Sequence, residues 1–367
     1  MPILLSIFYF FYFSIIGVYI IFMPKVLTMV GYSASDVGII FAAGPMVRFL
    51  LPFAFIKGLK LNTKSFNIAL IIMIASSISF YFSLDSFYKL LISSVGLGVG
   101  LSLILPYIEV ISLECVGKER YGKIRLFGSL GFILVALVLV KFLSSADIAL
   151  NYLLTLSLLT SVVAFFIVKN QSIRDAKNSD VQNDITLLRD WRLWLGLTLM
   201  QVSFGAFYNF FTIYETDYGV SLDMTIYLWS FGVVVEVFML FFQGKFLHGN
   251  LLLILQITTF ASAIRWFLLF IFPQNLTILF FAQSLHALSF ALFHSAAISY
   301  LFHIYRDKSL AQQFFSGITY GLGGFVGALY AGYIYELFPK YLFLSATFIA
   351  LMACGSLYSF AKISNNR

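Results

Sequence analysis

The sequence predicts an all-α polytopic membrane protein with twelve transmembrane helices in two six-helix bundles. Three observations predict this fold class. Hydrophobic residues make up 61% of the chain and charged residues 11%, with a mean hydropathy of +0.95, which is far outside the range of water-soluble domains. Apolar runs of about twenty residues recur along the whole chain, which is the length needed to cross a bilayer. Lys and Arg are distributed unevenly among the segments between those runs.

The apolar runs form two groups of six, separated by a polar connector. We predict spans at residues 3–23, 36–56, 66–84, 88–112, 126–144, 148–168, 193–214, 224–244, 251–271, 276–302, 312–335 and 341–361. The connector, residues 169–192, is rich in charge and has no apolar periodicity, so we predict a cytoplasmic linker there. The predicted domains are therefore an N-terminal six-helix bundle at 1–168 and a C-terminal six-helix bundle at 193–367.

The basic residues predict the orientation of the chain. Of the 23 Lys and Arg residues, seventeen lie in the terminal segments and loops on one side, four lie on the other side, and Arg48 and Arg265 lie inside spans. Since Lys and Arg accumulate in cytoplasmic loops, we expect a multi-pass protein of the cytoplasmic membrane with both termini in the cytoplasm. This bias also explains the net charge of +7, so we expect the lipid bilayer and no nucleic acid as a partner.

Other features of the sequence argue against an enzyme. Cys115 and Cys354 lie in opposite halves, beside or within apolar segments, which favours neither a disulfide nor a metal site. No Ser–His–acid cluster, metal-ligand spacing or phosphate-binding loop occurs in the sequence. We therefore predict no enzymatic activity, no cofactor and no bound metal.

Ionisable residues at membrane depth are the candidate functional residues. Each costs about 2.5 to 3.5 kcal/mol to insert unless it is paired or hydrated, so we expect them to face a polar cavity. They are Arg48, Glu109, Arg125, Glu236, Arg265, His286 and His294. Gln283 lies one turn before His286 on the same helix face and is expected to hydrogen bond in that cavity.

Several of these residues have a purely structural alternative. Arg125 is equally explained as a basic anchor at the cytoplasmic end of its span. Arg48 and Glu236 are also explained as an ion pair that fixes helix register, and Arg265 as a partner of Glu236. For His294, a hydrogen-bonded core histidine is the simpler interpretation.

Glycines concentrate in the fourth and eleventh spans and predict close approach of helix backbones. The residues are Gly96, Gly98, Gly100, Gly317, Gly321, Gly323, Gly324 and Gly327.

Five segments resemble one family. They are PYIEVISLECVGKERYGKIRLFGSLGF from Pro106, AAGPMVRF around Arg48, YLWSFGVVVEV ending at Glu236 and Val237, AIRWFL around Arg265, and QSLHALSFALFHSAA with His286 and His294. Together they resemble the branch of the major facilitator superfamily that includes lactose permease and the 3-phenylpropionate permeases, most of all the phenylpropionate type. The resemblance implies the major facilitator fold and transport of a small solute by alternating access.

The resemblance also implies roles for the residues that match. Glu109 and Arg125 match the acid and the arginine that hold the solute, and Phe132 stands in the place of an aromatic platform; Arg48 is assigned to the same solute-binding set. Glu236, Arg265 and His286 match a proton-coupling network, to which we add His294. Ser289 departs from the pattern, because lactose permease has its proton-carrying carboxylate at that position. This departure argues against galactoside transport by the same mechanism.

The charge balance predicts the class of solute. The arginines Arg48, Arg125 and Arg265 outnumber Glu109 and Glu236, and an anion would complete the balance. With Phe132 stacking on a ring, we expect proton-coupled transport of a small aromatic carboxylate by a monomer, with Glu236 carrying the proton. A sugar or nucleoside proton symporter, and a non-transporting solute receptor on the same fold, remain as alternatives.

Overall fold

A computed structural model describes residues 1–57, 59, 62–170, 187–306 and 308–364. The chain divides into two compact units, Met1–Ser179 and Asp180–Arg367. Most of the predicted linker at 169–192 lies outside the described residues, since the description stops at residue 170 and resumes at 187.

Each unit contains six long helices. In the first unit they are α1 (Pro2–Val30), α2 (Ala34–Ile56), α3 (Thr63–Ser79), α4 (Phe87–Val116), α5 (Lys123–Phe142) and α6 (Ala146–Asn170). In the second they are α7 (Trp191–Asp217), α8 (Leu222–Phe242), α9 (Leu251–Ile271), α10 (Leu276–Ile304), α11 (Leu310–Leu337) and α12 (Leu342–Ser364). A short helical turn, Gly244–Leu247, follows α8.

Eleven of these helices are long and apolar enough to cross a membrane, by length and composition. The twelfth, α7, has 27 residues, and Gln201 and Asn209 make it less apolar than the others. Each of the twelve predicted spans corresponds to one helix, so the predicted twelve-helix membrane fold is confirmed.

Residues 113–125, which lie between the fourth and fifth predicted spans, are helical and not irregular. Every residue of Phe87–Phe142 has helical backbone, and the change of direction between α4 and α5 falls within this stretch. The segment is polar, which indicates that the chain leaves the bilayer, but its Lys, Glu and Arg residues are good helix formers. Polarity therefore indicated the end of the span, although the helix itself continues.

Contacts with α1 show that the chain folds back between α4 and α5. Along α1, the partners in α4 have falling residue numbers and the partners in α5 have rising ones. The α4 pairs are Tyr9 with Ser112 and Tyr12 with Leu101, and the α5 pairs are Phe10 with Gly131 and Gly17 with Val135. The two helices consequently run in opposite directions, as consecutive spans must.

Side-chain caps define where many helices begin. Ser33 and Asp36 form a reciprocal capping box at the start of α2, and Asn62 and Ser65 form one at the start of α3. The first residues of α8, α9 and α10 are capped by Ser221, Asn250 and Asn275. The helix α1 runs seven residues beyond its predicted end and stops where Gly31 takes φ +104°.

Small residues allow the helices of each unit to pack closely. In the first unit, a Cβ on Gly98 would lie 2.9 Å from the Gly44 Cα of α2, and one on Gly100 would lie 2.7 Å from Met73 of α3. In the second unit, Gly327 of α11 packs directly on Gly205 of α7. The predicted close approach of backbones at Gly98, Gly100 and Gly327 is confirmed.

Candidate solute and proton sites

The first cluster of candidate residues lies in the N-terminal unit and centres on Glu109 and Arg125. The Tyr121 hydroxyl donates a hydrogen bond of 3.0 Å to Glu109 Oε1, and Arg125 Nε lies 3.9 Å from the same oxygen. The side chains of Arg125 and Glu109 are 33% and 31% exposed. Because 3.9 Å is long for an ion pair, the guanidinium keeps most of its donor capacity for another group.

Aromatic rings of α1 support the Arg125 guanidinium. Its Cζ lies 3.8 Å from the ring centroid of Phe13 and 5.5 Å from that of Tyr9, both within cation–π range. Tyr9 is held in turn by its hydroxyl, which donates to Ser112 Oγ at 3.1 Å. Sequence reasoning missed these two rings, because the run of aromatic residues near the N-terminus has no periodicity that distinguishes one face of α1.

Phe132 lies on the same face of α5 as Arg125, seven residues later. Between them is Gly128, where a Cβ would lie 2.7 Å from the Phe13 ring and 3.1 Å from Arg125 Nη1. Phe132 is half-buried, and its ring passes close to Gly17 of α1. The small residue at 128 therefore leaves room for the guanidinium and the Phe13 ring.

Arg48 of α2 carries an exposed side chain and has no ion pair within the part of the chain that the structure describes. Tyr12, fully enclosed in α1, lies within electrostatic range of Arg48, Glu109 and Arg125. Two positive groups and one negative group therefore lie near the same tyrosine. The local charge at this cluster has an excess of one positive unit when all three groups are ionised.

The second cluster lies in the C-terminal unit and centres on Arg265, whose side chain is fully buried in α9. All three of its hydrogen-bond partners come from α10. Its Nη2 donates to Gln283 Oε1 at 2.6 Å, and its Nη1 lies 2.8 Å from His286 Nδ1 and 3.4 Å from Ser289 Oγ. The predicted contribution of Gln283 to the cavity is therefore a direct hydrogen bond to the guanidinium.

Three aromatic rings enclose the rest of this guanidinium. The Arg265 Cζ lies 4.2 Å from the centroid of Phe207, 4.6 Å from Trp266 and 5.8 Å from Phe204. Such rings offer their negative faces to a cation and exclude water from it. The positive charge of Arg265 is therefore held in a dry site among neutral partners.

The hydrogen bond from Arg265 assigns the tautomer of His286. An arginine can only donate, so His286 Nδ1 must accept, and the ring proton sits on Nε2. That nitrogen lies 3.4 Å from Glu236 Oε2 on α8, with the Glu236 side chain 15% exposed. A chain of polar contacts thus leads from buried Arg265 through His286 to the partly accessible Glu236.

The contacts through His286 replace the direct Arg265–Glu236 ion pair, which was the structural alternative for Arg265 in the sequence. Among the described residues no carboxylate lies within ion-pair distance of Arg265, and His286 stands between the two charges. Gly232 of α8 permits the arrangement, because a Cβ there would lie 3.3 Å from Gln283 Oε1 and 3.7 Å from the His286 ring.

His294 lies two turns beyond His286, in a different environment. Its Nδ1 is 2.6 Å from the Tyr320 hydroxyl of α11, and its ring is 5.5 Å from Phe315. Both helices contain a π-helical segment here, Ala287–Leu292 in α10 and Phe315–Leu322 in α11. The His294–Tyr320 contact therefore joins two helices close to their irregular segments. Such segments are frequent at functional sites.

One buried acid was not among the predicted residues. Glu215 lies inside α7 and is fully buried, whereas the predicted span ended at 214 and left it in a loop. The signal that could have found it is Gly219, whose φ of +88° marks the real end of the helix.

The chain has relatives among known proteins. It is 24% identical over 358 residues to a probable 3-phenylpropionic acid transporter of Escherichia coli strain K12, covering 94% of each chain. It is 26% identical over 340 residues to the uncharacterized transporter YwbF of Bacillus subtilis strain 168, covering 87% of this chain and 83% of that one.

Solved structures share its fold. The nucleoside transporter NupG superposes with a TM-score of 0.80 at 15% identity, covering 98% of this chain and 99% of that chain. An auto-inhibited peptide transporter of the POT family superposes with a TM-score of 0.75 at 10% identity, covering 100% and 96%. The chain thus shares the fold of these two proteins.

These findings agree with the resemblance noted in the sequence. The profile described as the MFS_1 like family matches residues 3–362, nearly the whole chain. Together with the two relatives that are transporters by name, this match identifies a secondary transporter, a multi-pass membrane protein that carries a small solute. The chain belongs to the MFS_1 like family of the major facilitator superfamily.

Proposed function

We propose that this transporter moves a small aromatic carboxylate together with protons across the cytoplasmic membrane. It works as a monomer by alternating access, with both termini in the cytoplasm and without any enzymatic step. The uneven distribution of Lys and Arg supports the orientation.

The observation that carries the proposal is that the Arg125 guanidinium is partly exposed and only loosely paired with Glu109. Its guanidinium is one-third exposed and lies 3.9 Å from Glu109, while Tyr121 holds that carboxylate by a shorter contact. A solute carboxylate would find two parallel N–H donors, which is the geometry that favours bidentate binding. With Arg48 also near Tyr12, the excess positive charge of the cluster favours an anion over a neutral solute.

The aromatic part of the solute has a matching surface. Phe13 on α1 lies against the Arg125 guanidinium, and Phe132 follows on the same face of α5; both rings are partly exposed. Rings stack or meet edge to face on such surfaces with additional stabilisation beyond burial. The name of the relative from Escherichia coli, a probable 3-phenylpropionic acid transporter, supports the same class of solute.

Proton coupling is assigned to the C-terminal unit. Glu236 is the most accessible member of the contact chain and accepts the proton first. A neutral Glu236 accepts the Nε2–H of His286 more weakly than the carboxylate does, so protonation loosens the link between α8 and α10. His294, hydrogen-bonded to Tyr320, is assigned to the same coupling machinery on the α11 side. Ionisable groups at membrane depth commonly serve such proton relays.

A sugar or nucleoside solute is favoured by one observation. Glu109 is accessible and lies beside the Tyr121 hydroxyl, and this acceptor and donor would suit a polyhydroxylated ring. A receptor that binds solute without moving it would show saturable binding with no accumulation.

The test is uptake into proteoliposomes with an imposed pH gradient, using 3-phenylpropionate, its neutral amide, a sugar and a nucleoside. We expect accumulation of the carboxylate and not of the amide. Arg125→Gln should abolish this uptake, whereas Lys123→Gln, which removes an exposed positive charge two residues away, should preserve it. Accumulation of the sugar or nucleoside alone would replace the proposed solute, and binding without accumulation would favour the receptor.

A further inference from the structure

Glu215 is a buried acid that the proposed coupling chain does not use. It lies two residues before the end of α7, and none of its surface is exposed. Neither carboxylate oxygen has a hydrogen-bond partner within the described part of the chain. A carboxylate without donors in a dry site is strongly unfavourable, and such a group avoids the cost by binding a proton.

The neighbouring acid on the same helix shows the opposite environment. Asp217 is exposed, and its Oδ2 accepts a hydrogen bond of 2.7 Å from the Tyr335 hydroxyl of α11. Among the described contacts at this end of the unit, the tyrosine that donates a hydrogen bond to an acid donates it to Asp217. Glu215 receives no hydrogen bond from any described residue. These two acids are two residues apart, but one is exposed and hydrogen-bonded and the other is buried without a hydrogen-bond partner among the described residues.

Aromatic rings pack together at the end of the C-terminal unit that contains Glu215. The Tyr214 ring lies 4.6 Å from Tyr218, 4.7 Å from Phe343 of α12 and 6.4 Å from Tyr335. Phe210 stacks on Tyr335 at 5.1 Å. These five side chains, called the aromatic layer below, lie at the end of the unit in which the Glu215 side chain is fully buried.

Within the described residues, no charged side chain forms an ion pair with Glu215. The titratable groups at this end of the helices that pack on α7 are Asp223 of α8, Tyr335 and Glu336 of α11, and Lys340 and Tyr341 before α12. None of them hydrogen bonds to Glu215 among the described residues. A proton is the counter-charge that fits the closed space.

We propose that Glu215 is a second proton-binding site, occupied while the aromatic layer is closed and emptied when that end of the unit opens. On opening, water reaches the carboxyl group, its O–H bond breaks, and the proton passes to water while the electron pair stays on the carboxylate. Reclosing requires a proton to return. The role in transport rests on the proposed proton coupling, but the occupancy of the site does not.

Infrared difference spectroscopy of the protein in lipid vesicles tests the occupancy. At neutral pH, subtraction of Glu215→Gln from the unmodified protein should show the carbonyl band of a protonated carboxylic acid, because glutamine is isosteric with the neutral acid. Asp217→Asn is the matched control and should instead remove carboxylate bands. Carboxylate bands in the Glu215→Gln difference would overturn the proposal.

A second measurement needs no variant. Dicyclohexylcarbodiimide, a lipid-soluble reagent, modifies protonated buried acids, and mass spectrometry locates the adduct. We expect modification at Glu215 and not at Asp217. Modification of Asp217 with Glu215 untouched would overturn the proposal even if Glu215→Gln failed to fold.

Opening is tested with a reporter cysteine. Ser230 of α8 is buried, and its hydroxyl has no partner among the described residues, so Ser230→Cys is nearly isosteric. With Cys115 and Cys354 replaced by serine, labelling by a membrane-impermeant maleimide should rise several-fold at alkaline pH and stay low when Glu215→Gln is added. An equal rise in both would overturn the link between proton and opening.

The outcomes remain separate from those of the uptake test. An acid band at Glu215 in a protein that accumulates no 3-phenylpropionate would contradict the proposed function and support this site. Accumulation with Glu215 ionised would do the reverse.

Discussion

His286 Nδ1 accepts a hydrogen bond of 2.8 Å from Arg265 Nη1, and this contact directs the imidazole proton toward Glu236. A second proton on the imidazole would point the His286 Nδ1–H directly at the Arg265 Nη1–H, and two donors cannot form a hydrogen bond. Arg265 therefore keeps His286 neutral while the two side chains stay in contact. A proton that enters this chain must first reach Glu236.

Substitutions of His286 test the assigned tautomer. In His286→Asn, the amide oxygen replaces the Nδ1 acceptor and keeps the bond to Arg265. In His286→Gln, the longer amide reaches toward Glu236 and leaves Arg265 Nη1 without that acceptor. Loss of a hydrogen bond to a charged group costs about 1.5 to 3 kcal/mol. We expect the Gln variant to unfold at a lower temperature than the Asn variant in detergent, and the reverse order would contradict the tautomer.

Glu236→Gln tests the site of proton entry. The amide resembles a protonated acid and cannot release a proton, so accumulation driven by a pH gradient should fall by an order of magnitude or more. Exchange of labelled for unlabelled 3-phenylpropionate should continue, because exchange needs no net proton movement. Glu114→Gln, which changes an exposed acid at the end of α4, is the control. Gradient-driven uptake retained in Glu236→Gln would assign the proton to another residue.

Tyr121→Phe tests how Glu109 is kept away from Arg125. Without the tyrosine hydroxyl, the Glu109 carboxylate is free to close the 3.9 Å gap and compete with a solute carboxylate. Loss of about 1.5 kcal/mol in solute binding corresponds to roughly a tenfold rise in KM. The maximal rate of uptake should change little.

The control for this variant is Tyr107→Phe. Tyr107 of α4 is a buried tyrosine of the same unit with one hydroxyl contact, 3.0 Å to Thr63, and it belongs to neither candidate cluster. An equal rise in KM in both variants would mean that the effect comes from general loosening of the N-terminal unit.

The twelve spans were predictable because the bilayer imposes a length and an apolar composition on each of them. The contact of Gln283 with the Arg265 cluster was also predictable in part, since a spacing of three residues puts Gln283 and His286 on one helix face. The backbone between α4 and α5 was not predictable, because a polar sequence with good helix formers marks the end of a span and not of a helix.

The details of both clusters depend on contacts between helices that sequence spacing does not encode. Phe13 and Tyr9 belong to an aromatic run in which every face of α1 has a ring, so no pattern distinguishes the face that meets Arg125. The link between Arg265 and Glu236 passes through His286 because three helices meet there. Glu215 was missed because its helix extends three residues past the apolar run.

Gly205→Ala tests the closest helix contact of the C-terminal unit. A Cβ at this position in α7 would overlap the backbone carbon and oxygen of Gly327 in α11, where rigid backbone cannot move aside as a flexible side chain would. Overpacking of this kind costs about 1 to 3 kcal/mol, so we expect a lower unfolding temperature in detergent and weaker uptake.

Gly355→Ala in α12 is the matched control for this substitution, because nothing lies within 4 Å of its added Cβ. Alanine is the better helix former by up to about 1 kcal/mol, so this variant should be as stable as the unmodified protein or slightly more stable. The two substitutions add the same methyl group to helix interiors of one unit. Equal destabilisation of both would show that the methyl group acts on the helices themselves, and the close contact between α7 and α11 at Gly205 and Gly327 would then be wrong.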